Sequence, residues 1–434
     1  TDYVVVGAGN AAGYIAKALK EKGLARDRLC LVGDEAVAPY ERPALTKAYL
    51  FPEADKPARL PGFHTSVGGG GERQTPEWYE ENGIELLTGQ RVSGLAVENK
   101  MLVTQDGSFI KFRKLFIATG AAPLKLQCPG SDLHNILYIR NVADADMLVK
   151  AMKTAKKLVV VGGGYIGIEM AAAGLINGLE TTMVFPDPHF MARLWPGEIA
   201  QYYEEYYKSK GVNIVKGPVV SGFVAKSESD TVGAVSLSDG TELAADLVVV
   251  GIGAYPVTGV FNSAGIDIAE KPLGGIVVDS KMRASVPDIW AVGDVAAFPL
   301  KRNDGQLVRF EHVDHARRSA AIAVGSMLDP AGSAEYDYLP YFYSRIFEQP
   351  GSDRKLWWQF FGSATGDFIL VGDFNPKLAA FWISGEGKLN GGFLESGTPE
   401  QFASLRSAVE GLISVDSDKL RAASSVDEAL GYLG

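Results

Sequence analysis

The chain is poor in cysteine: only Cys30 and Cys128 occur among 434 residues, and no CxxC is present. Two isolated thiols make neither a disulfide framework nor a metal cluster, so thiol–disulfide chemistry is not expected and a reducing compartment suits the chain. Histidine is also scarce, with five residues, of which only His312 and His315 lie close together. A metal site needs three or four ligands, and His64, His134 and His189 fall in unrelated segments, so no metal is expected. An excess of positive charge is missing too: 42 Lys and Arg stand against 52 Asp and Glu, a net charge of −10. That balance disfavours nucleic acid or an anionic membrane as partner. No window approaches the roughly 18 to 20 uninterrupted apolar residues of a spanning helix. Thr1 stands two residues ahead of an apparent strand, so no signal or transit peptide is in view. An intracellular soluble protein is expected, its compartment left open.

Glycine is plentiful, and its placement is informative. In "YVVVGAGNAAGYIAKALKEKG" a β-branched run leads into Gly7-x-Gly9-x-x-Ala12 and then an amphipathic helical pattern. In such a turn one glycine allows the tight bend, one lets backbone N–H groups approach a pyrophosphate, and the small third residue lets helix and strand pack closely. The helix N-terminus then faces the negative charge. Asp34 closes the next strand, "LCLVGDE", where an acidic side chain would take ribose hydroxyls, with Glu35 as the fallback. The pattern returns in "KLVVVGGGYIGIEMAAAGLINGLETTMVFPD", with Gly162-x-Gly164-x-x-Gly167 and a following strand that ends at Asp187. An aspartate there favours the 2′-hydroxyl of NAD and repels the 2′-phosphate of NADP, although Arg193 nearby tempers that preference.

Two further short strands, "LFIATGAAP" and "IWAVGDVAAFP", end at glycine. Fingerprint, ATG, second fingerprint and GD in this order resemble the two-dinucleotide-domain flavoprotein reductases. The resemblance implies an α/β fold of two Rossmann-like domains, the second inserted within the first, with FAD in the first and a nicotinamide in the second. The implied FAD-binding domain covers 1–119 and 254–330, the NAD-binding domain 120–253, and an α+β C-terminal domain 331–434. That last segment reads independently as an aromatic antiparallel sheet with a helical end. The redox-active cysteines of related reductases have no counterpart in "PYERPALTKAYL", so electrons are expected to pass directly from flavin to acceptor.

"PYERPALTKAYLFPE", "ARLPGFHTSVGGGGERQTPEWYEENGIEL", "MVFPDPHFMARLW", "YYEEYYKSKGV", "RFEHVDHARRSA" and "YDYLPYFYSRIF" narrow the match. Together they resemble plant-type monodehydroascorbate reductases over nearly the whole chain, fading after about residue 405. The resemblance implies FAD contacts at Gly7, Gly9, Asn10, Ala11, Ala12, Asp34, Arg42, Lys47, Val92, Arg140, Asp294, Val313 and Tyr343. It implies nicotinamide-nucleotide contacts at Gly162, Gly164, Tyr165, Ile166, Gly167, Glu169, Asp187, Arg193, Gly253, Glu311 and His312. Arg317, Tyr343 and Arg345 would hold the acceptor, a small flat anion, and two arginines with a tyrosine suit such a ligand. NADH (rather than NADPH) would reduce FAD, and single electrons would then pass to two monodehydroascorbate radicals. No side chain is expected to act as a catalytic acid, base or nucleophile.

Asp314 is a good N-cap type ahead of an alanine-rich helix. His315 reads as a structural histidine and Arg318 as a solvated helix-face charge. Residues 68–71, four glycines, read as a flexible loop, the polar stretch before Trp357 as a surface matter, and 411–434 as a tail of helical composition without an assigned place. A monomer or weak homo-oligomer is expected. Two other functions share the cofactor motifs: a ferredoxin-type reductase, and a redox-sensing FAD module. The first wants a basic docking face, which the region of Trp357 and Trp358 does not offer. The second usually carries basic patches, against the net charge of −10.

Overall fold

A computed structural model describes residues 1–52, 64–65, 71–374 and 377–433; most of the four-glycine stretch lies outside the described residues. The chain forms two compact units. The first comprises Thr1–Leu45, Pro57–Leu124 and Gly253–Tyr338; the second comprises Thr46–Lys56, Lys125–Ile252 and Leu339–Gly434.

The first unit is built on a five-stranded parallel sheet. Its strands run in the order Ile289–Ala291, Lys114–Ile117, Tyr3–Val6, Leu29–Val32, Glu85–Leu87. The strands Tyr3–Val6 and Leu29–Val32 are buried on both faces, as expected of continuous apolar runs in a parallel sheet covered by helices. Cys30 lies in one of them, completely buried. Burial, with Glu85 beside it, pushes its thiol up to about 12, so it is an inert packing residue. The strand Tyr3–Val6 pairs with the next strand of the chain on one side and with a much later one on the other. Such a reversal of strand order opens a crevice at the carboxyl ends of the strands, where ligands bind in doubly wound sheets. A short antiparallel pair, Ala121–Pro123 with Ala254–Pro256, brackets the segment that belongs to the second unit.

The second unit repeats the device. Its parallel sheet runs Asn213–Lys216, Glu180–Phe185, Lys157–Val161, Leu247–Val250, Ile136–Leu137, with the glycine-turn strand again central. The same unit holds a five-stranded antiparallel sheet ordered Tyr341–Ile346, Leu356–Gly362, Leu389–Glu395, Leu378–Ile383, Asp367–Gly372. The tail that sequence left unplaced forms two short helices, Ser417–Ala422 and Val426–Gly431. Leu420, Val426, Ala429, Leu430 and Leu433 join Phe381 and Leu394 of that sheet in one apolar core.

The polar stretch before Trp357 is more than a surface matter. Arg354 reaches Glu395, which is fully buried on the strand Leu389–Glu395, at 2.5 Å, and the Tyr203 hydroxyl donates to the other carboxylate oxygen at 2.5 Å. Burial raises the pKa of Glu395 in spite of both partners. Removing one member of a buried ion pair leaves the other charge uncompensated, at a cost of about 3–5 kcal/mol. Arg354→Ala should therefore lower the unfolding free energy by roughly that amount. Urea titration checks this; a loss no larger than that of a surface substitution would refute it.

Candidate functional site

In the first unit, the turn after the strand Tyr3–Val6 leaves no room for a side chain. Gly7 has φ +115°, and a Cβ there would lie 2.2 Å from the Ala118 carbonyl oxygen. The helix Asn10–Glu21 that follows starts at Gly9 with no side-chain cap, whereas Thr75, Asn141 and Thr398 each cap their own helices. Its first-turn N–H groups are thus left for a ligand. The Arg42 guanidinium lies 3.4 Å from where a Gly9 Cβ would stand. Burial works against the Arg42 charge, but Tyr40, Glu35 and Asp294 outweigh it and raise its pKa. Asn10 Oδ1 is buried and accepts no hydrogen bond from the described residues. A cation, an uncapped helix start and a buried acceptor in one crevice fit an anionic dinucleotide with hydrogen-bonding groups.

Of the two adjacent carboxylates, Asp34 is exposed, while Glu35 is ion-paired to Arg42 and accepts from the Tyr40 hydroxyl at 2.6 Å. The geometry therefore favours Glu35, the fallback, over Asp34 for the ribose position. Ala11 and Ala12 are buried on the helix Asn10–Glu21, and Ala11 approaches Gly293, the neighbour of Asp294. Val92 is buried at the start of the strand Val92–Ala96.

The "FEHVDHARRSA" strip also lies in the first unit, and the structure changes one reading of it. The helix Val313–Leu328 begins two residues earlier than an Asp314 cap would put it. His312 is the N-cap, and its Nδ1 accepts the Asp314 N–H at 3.2 Å. His312 has the extended backbone that a cap requires, whereas Asp314 is already helical and pairs with Arg318 at 3.0 Å. Because Nδ1 accepts, Nε2 carries the ring proton. Glu311 is exposed and paired with Arg309 at 2.7 Å. Arg317 lies over the Tyr14 ring (5.4 Å) and bonds Glu41 at 3.4 Å; the Tyr14 hydroxyl donates to that same Glu41 oxygen at 3.2 Å. Tyr14 and Glu41 escaped the sequence reading, although Glu41 stands beside Arg42 in the same motif.

In the second unit, Gly162 repeats Gly7: φ is +117°, and a Cβ would lie 2.2 Å from the Gly251 carbonyl oxygen. The helix Tyr165–Ile176 again starts uncapped, at Gly164, with open space around that residue. Gly167, at the third fingerprint position, has no room for a side chain, and Ile166 packs on Gly251. Asp187 and Arg193 are both exposed beyond the strand Glu180–Phe185. This arrangement too fits a dinucleotide. Gly253, assigned to the first unit, has φ +120° and accepts the Leu124 N–H at 2.9 Å.

Lys47, Glu169 and Tyr343 converge in the second unit. Glu169, buried on the helix Tyr165–Ile176, pairs with Lys47 Nζ at 2.8 Å and accepts from the Thr46 hydroxyl and from Ser344 Oγ at 2.7 Å. The same Nζ stands 5.9 Å from the Tyr343 ring centroid. Tyr165 stacks on Phe342 and Trp358, its hydroxyl buried without a hydrogen bond among the described residues. Burial, then Glu169, hold that hydroxyl well above its ordinary pKa. Along the strand Tyr341–Ile346, period-two alternation puts Tyr343 and Arg345 on one face and Ser344 on the other. Arg345 covers the Trp357 ring at 4.4 Å and pairs with Glu348 at 3.6 Å. Arg140 precedes the capping box that starts the helix Val142–Met152, and its N–H donates to Asp144 at 2.9 Å. Among the described residues, no group of three or more His, Cys, Asp or Glu side chains could hold a metal, and no helix is long and apolar enough to cross a membrane.

Residues 1–320 match the family model for pyridine nucleotide-disulphide oxidoreductases, and the chain belongs to that family of redox flavoprotein folds. Residues 339–427 match the model described as monodehydroascorbate reductase 3-like, C-terminal domain. The chain is 52% identical over 430 residues to the chloroplastic/mitochondrial monodehydroascorbate reductase of Arabidopsis thaliana, covering 99% of this chain and 86% of that one. It is 48% identical to a monodehydroascorbate reductase of Solanum lycopersicum, covering 92% of each. A further relative, 48% identical over 94% of this chain and 84% of its own length, is a peroxisomal monodehydroascorbate reductase of Oryza sativa. Within the wider family, the chain thus belongs with the monodehydroascorbate reductases. Among solved structures, putidaredoxin reductase in its covalent complex with putidaredoxin gives a TM-score of 0.86 at 27% identity, covering 100% of this chain and 97% of that one. A ferredoxin reductase of Rhodopseudomonas palustris gives 0.85 at 29% identity, covering 99% of each.

His315 yields a prediction. It is fully buried, with Nε2 donating to the Gly293 carbonyl at 3.2 Å and Nδ1 accepting from the Tyr336 hydroxyl at 2.8 Å. Burial lowers its pKa from 6.5 to about 4. The folded state refuses a proton that the unfolded chain takes, so this stability is intact above pH 6.5 and is lost as pH falls towards 4, by roughly 3 kcal/mol in all. Melting curves between pH 7 and 5 should fall more steeply for the native chain than for His315→Gln; parallel curves would sink the assignment.

Proposed function

We propose that this chain is an NADH-dependent flavoenzyme that reduces the monodehydroascorbate radical to ascorbate. The observation that carries the reading is similarity to monodehydroascorbate reductases at both ends of the chain, including the 339–427 segment that bears Tyr343 and Arg345. The solved ferredoxin reductases share the architecture at lower identity.

When bound, FAD converts a two-electron donor into single-electron deliveries, which no side chain can do. The residues that would hold it are the Gly7 and Gly9 turn with the amides of Asn10, Ala11 and Ala12, Arg42 at the phosphates and Glu35 at the ribose. Asp294, Val92, Arg140 and Val313 would contribute further contacts. The dipole of the helix Val313–Leu328 offers partial positive charge to negative charge on a bound ring. Lys47, oriented by Glu169 and close to Tyr343, would add a fixed cation.

The second turn, Gly162 to Gly167, would take the NADH pyrophosphate, with Asp187 reading the ribose hydroxyls and Arg193 the adjacent phosphate. Tyr165, Ile166, Glu169 and Gly253 would shape that pocket, and Glu311 and His312 would meet the nicotinamide. Arg317, Tyr343 and Arg345 would orient the radical anion. Electron transfer to that anion needs no obligatory general acid, and no triad or carboxylate pair is assigned.

Radical reduction should consume NADH far faster than a ferredoxin does; a strong preference for ferredoxin would overturn the reading. Arg317→Ala should raise KM for the radical about tenfold or more, as loss of a charged contact does, with NADH bleaching of the flavin nearly unchanged in stopped flow. Loss of bleaching would mean that Arg317 has another role. Replacing Asp187 with Asn should erode the preference for NADH over NADPH about tenfold; unchanged discrimination would count against its ribose role.

A further inference from the structure

We infer that Glu204, from within the helix Gly197–Ser209, is the positioning residue that fixes the loop carrying Asp187 and Arg193 and thereby sets discrimination between 2′-hydroxyl and 2′-phosphate nucleotides. The inference rests on the assignment of the second glycine turn to NADH. Asp187 stands between Pro186 and Pro188, whose rings fix φ and so narrow the conformations open to the stretch between its ends. At its start is the strand Glu180–Phe185. At its end, Glu204 takes hold. This carboxylate is 1% exposed. Its Oε1 accepts the Phe190 N–H at 3.1 Å and lies 3.2 Å from His189 Nδ1, and its Oε2 pairs with Lys216 at 2.8 Å. One residue on, the Met191 N–H donates to Gly163, inside the glycine turn itself, at 2.6 Å.

A buried carboxylate is costly unless it is fully bonded, so its retention beneath an exposed loop asks for a reason. Asp187 can reject a 2′-phosphate only while it stays where the ribose hydroxyls would bind. Arg193, six positions on and of opposite charge, would attract that phosphate if the loop relaxed. With Glu204 holding the segment between them, the repelling charge stays in place.

The test is direct binding of two fragments without a nicotinamide, ADP-ribose and 2′-phospho-ADP-ribose, by calorimetry. The native chain should prefer ADP-ribose at least tenfold. Glu204→Ala should lower that preference at least fivefold by weakening ADP-ribose, whereas Glu204→Gln, which keeps an acceptor for the Phe190 N–H, should stay within twofold of native. His189→Ala, at a partly exposed position, should lower the preference two- to threefold and decides the matter if Glu204→Ala does not fold. Equal weakening of both fragments, or an unchanged preference in Glu204→Ala or His189→Ala, overturns the inference. Asp187→Ala separates the two layers. If it abolishes the preference while Glu204→Ala leaves it unchanged, the inference alone fails. If the native chain shows no preference, or Asp187→Ala leaves it intact, the nucleotide reading falls and the inference with it.

Discussion

Two carbonyl oxygens set the constraint on which the rest of this structure depends. Ala118 O and Gly251 O each lie 2.2 Å from where a Cβ of Gly7 or Gly162 would be. In both sheets, a late strand must therefore pass against the first glycine of a turn, and only a residue without a side chain lets it. That approach brings three things together at one point: the end of the central strand, the start of a helix without a side-chain cap, and the crevice where strand order reverses. An anion site arises from backbone alone. The side chains around it then decide which anion.

The second unit adds a recurrent device, the buried carboxylate that ties segments far apart in sequence. Glu169 joins residues 46–47 to Ser344, Glu204 joins residues 189–190 to Lys216, and Glu395 joins Tyr203 to Arg354. Each is nearly inaccessible and each accepts from at least two groups. Such centres contribute little net stability compared with apolar packing, because desolvation offsets most of the attraction. What they contribute is definition: only one arrangement of the joined segments satisfies every bond. Geometry of that kind matters where a lysine or a loop carboxylate has to be held in place.

The glycine turns, their strands and the aromatic third sheet were legible in sequence because each depends on local backbone or on a two-residue period. Asp34 against Glu35 was not, since the two carboxylates are neighbours in the chain and only the pairing of Glu35 with Arg42 tells them apart. His312 displaced Asp314 as cap because the choice rests on the residue at which the backbone becomes helical, and both side chains can accept a hydrogen bond. The end helices of six residues are too short for a period to show. Arg354 and Glu395 are 41 residues apart, and no local signal links them.

A net charge of −10 is an unhelpful field for an anionic radical. At physiological ionic strength, however, that field is screened beyond about 8 Å, so what the radical meets near the protein is local. Local charge is itself held in check. Of the two arginines proposed to orient the radical, Arg317 shares Glu41 and Arg345 shares Glu348. An unpaired buried cation would bind an anion tightly and release its product slowly, since both the radical and the ascorbate it yields carry negative charge. A cation already bonded to a carboxylate offers its remaining donors with less net attraction, so orientation is kept while affinity is moderated. For an acceptor that must arrive twice and leave twice in each cycle, moderation of that kind serves turnover better than a stronger field would.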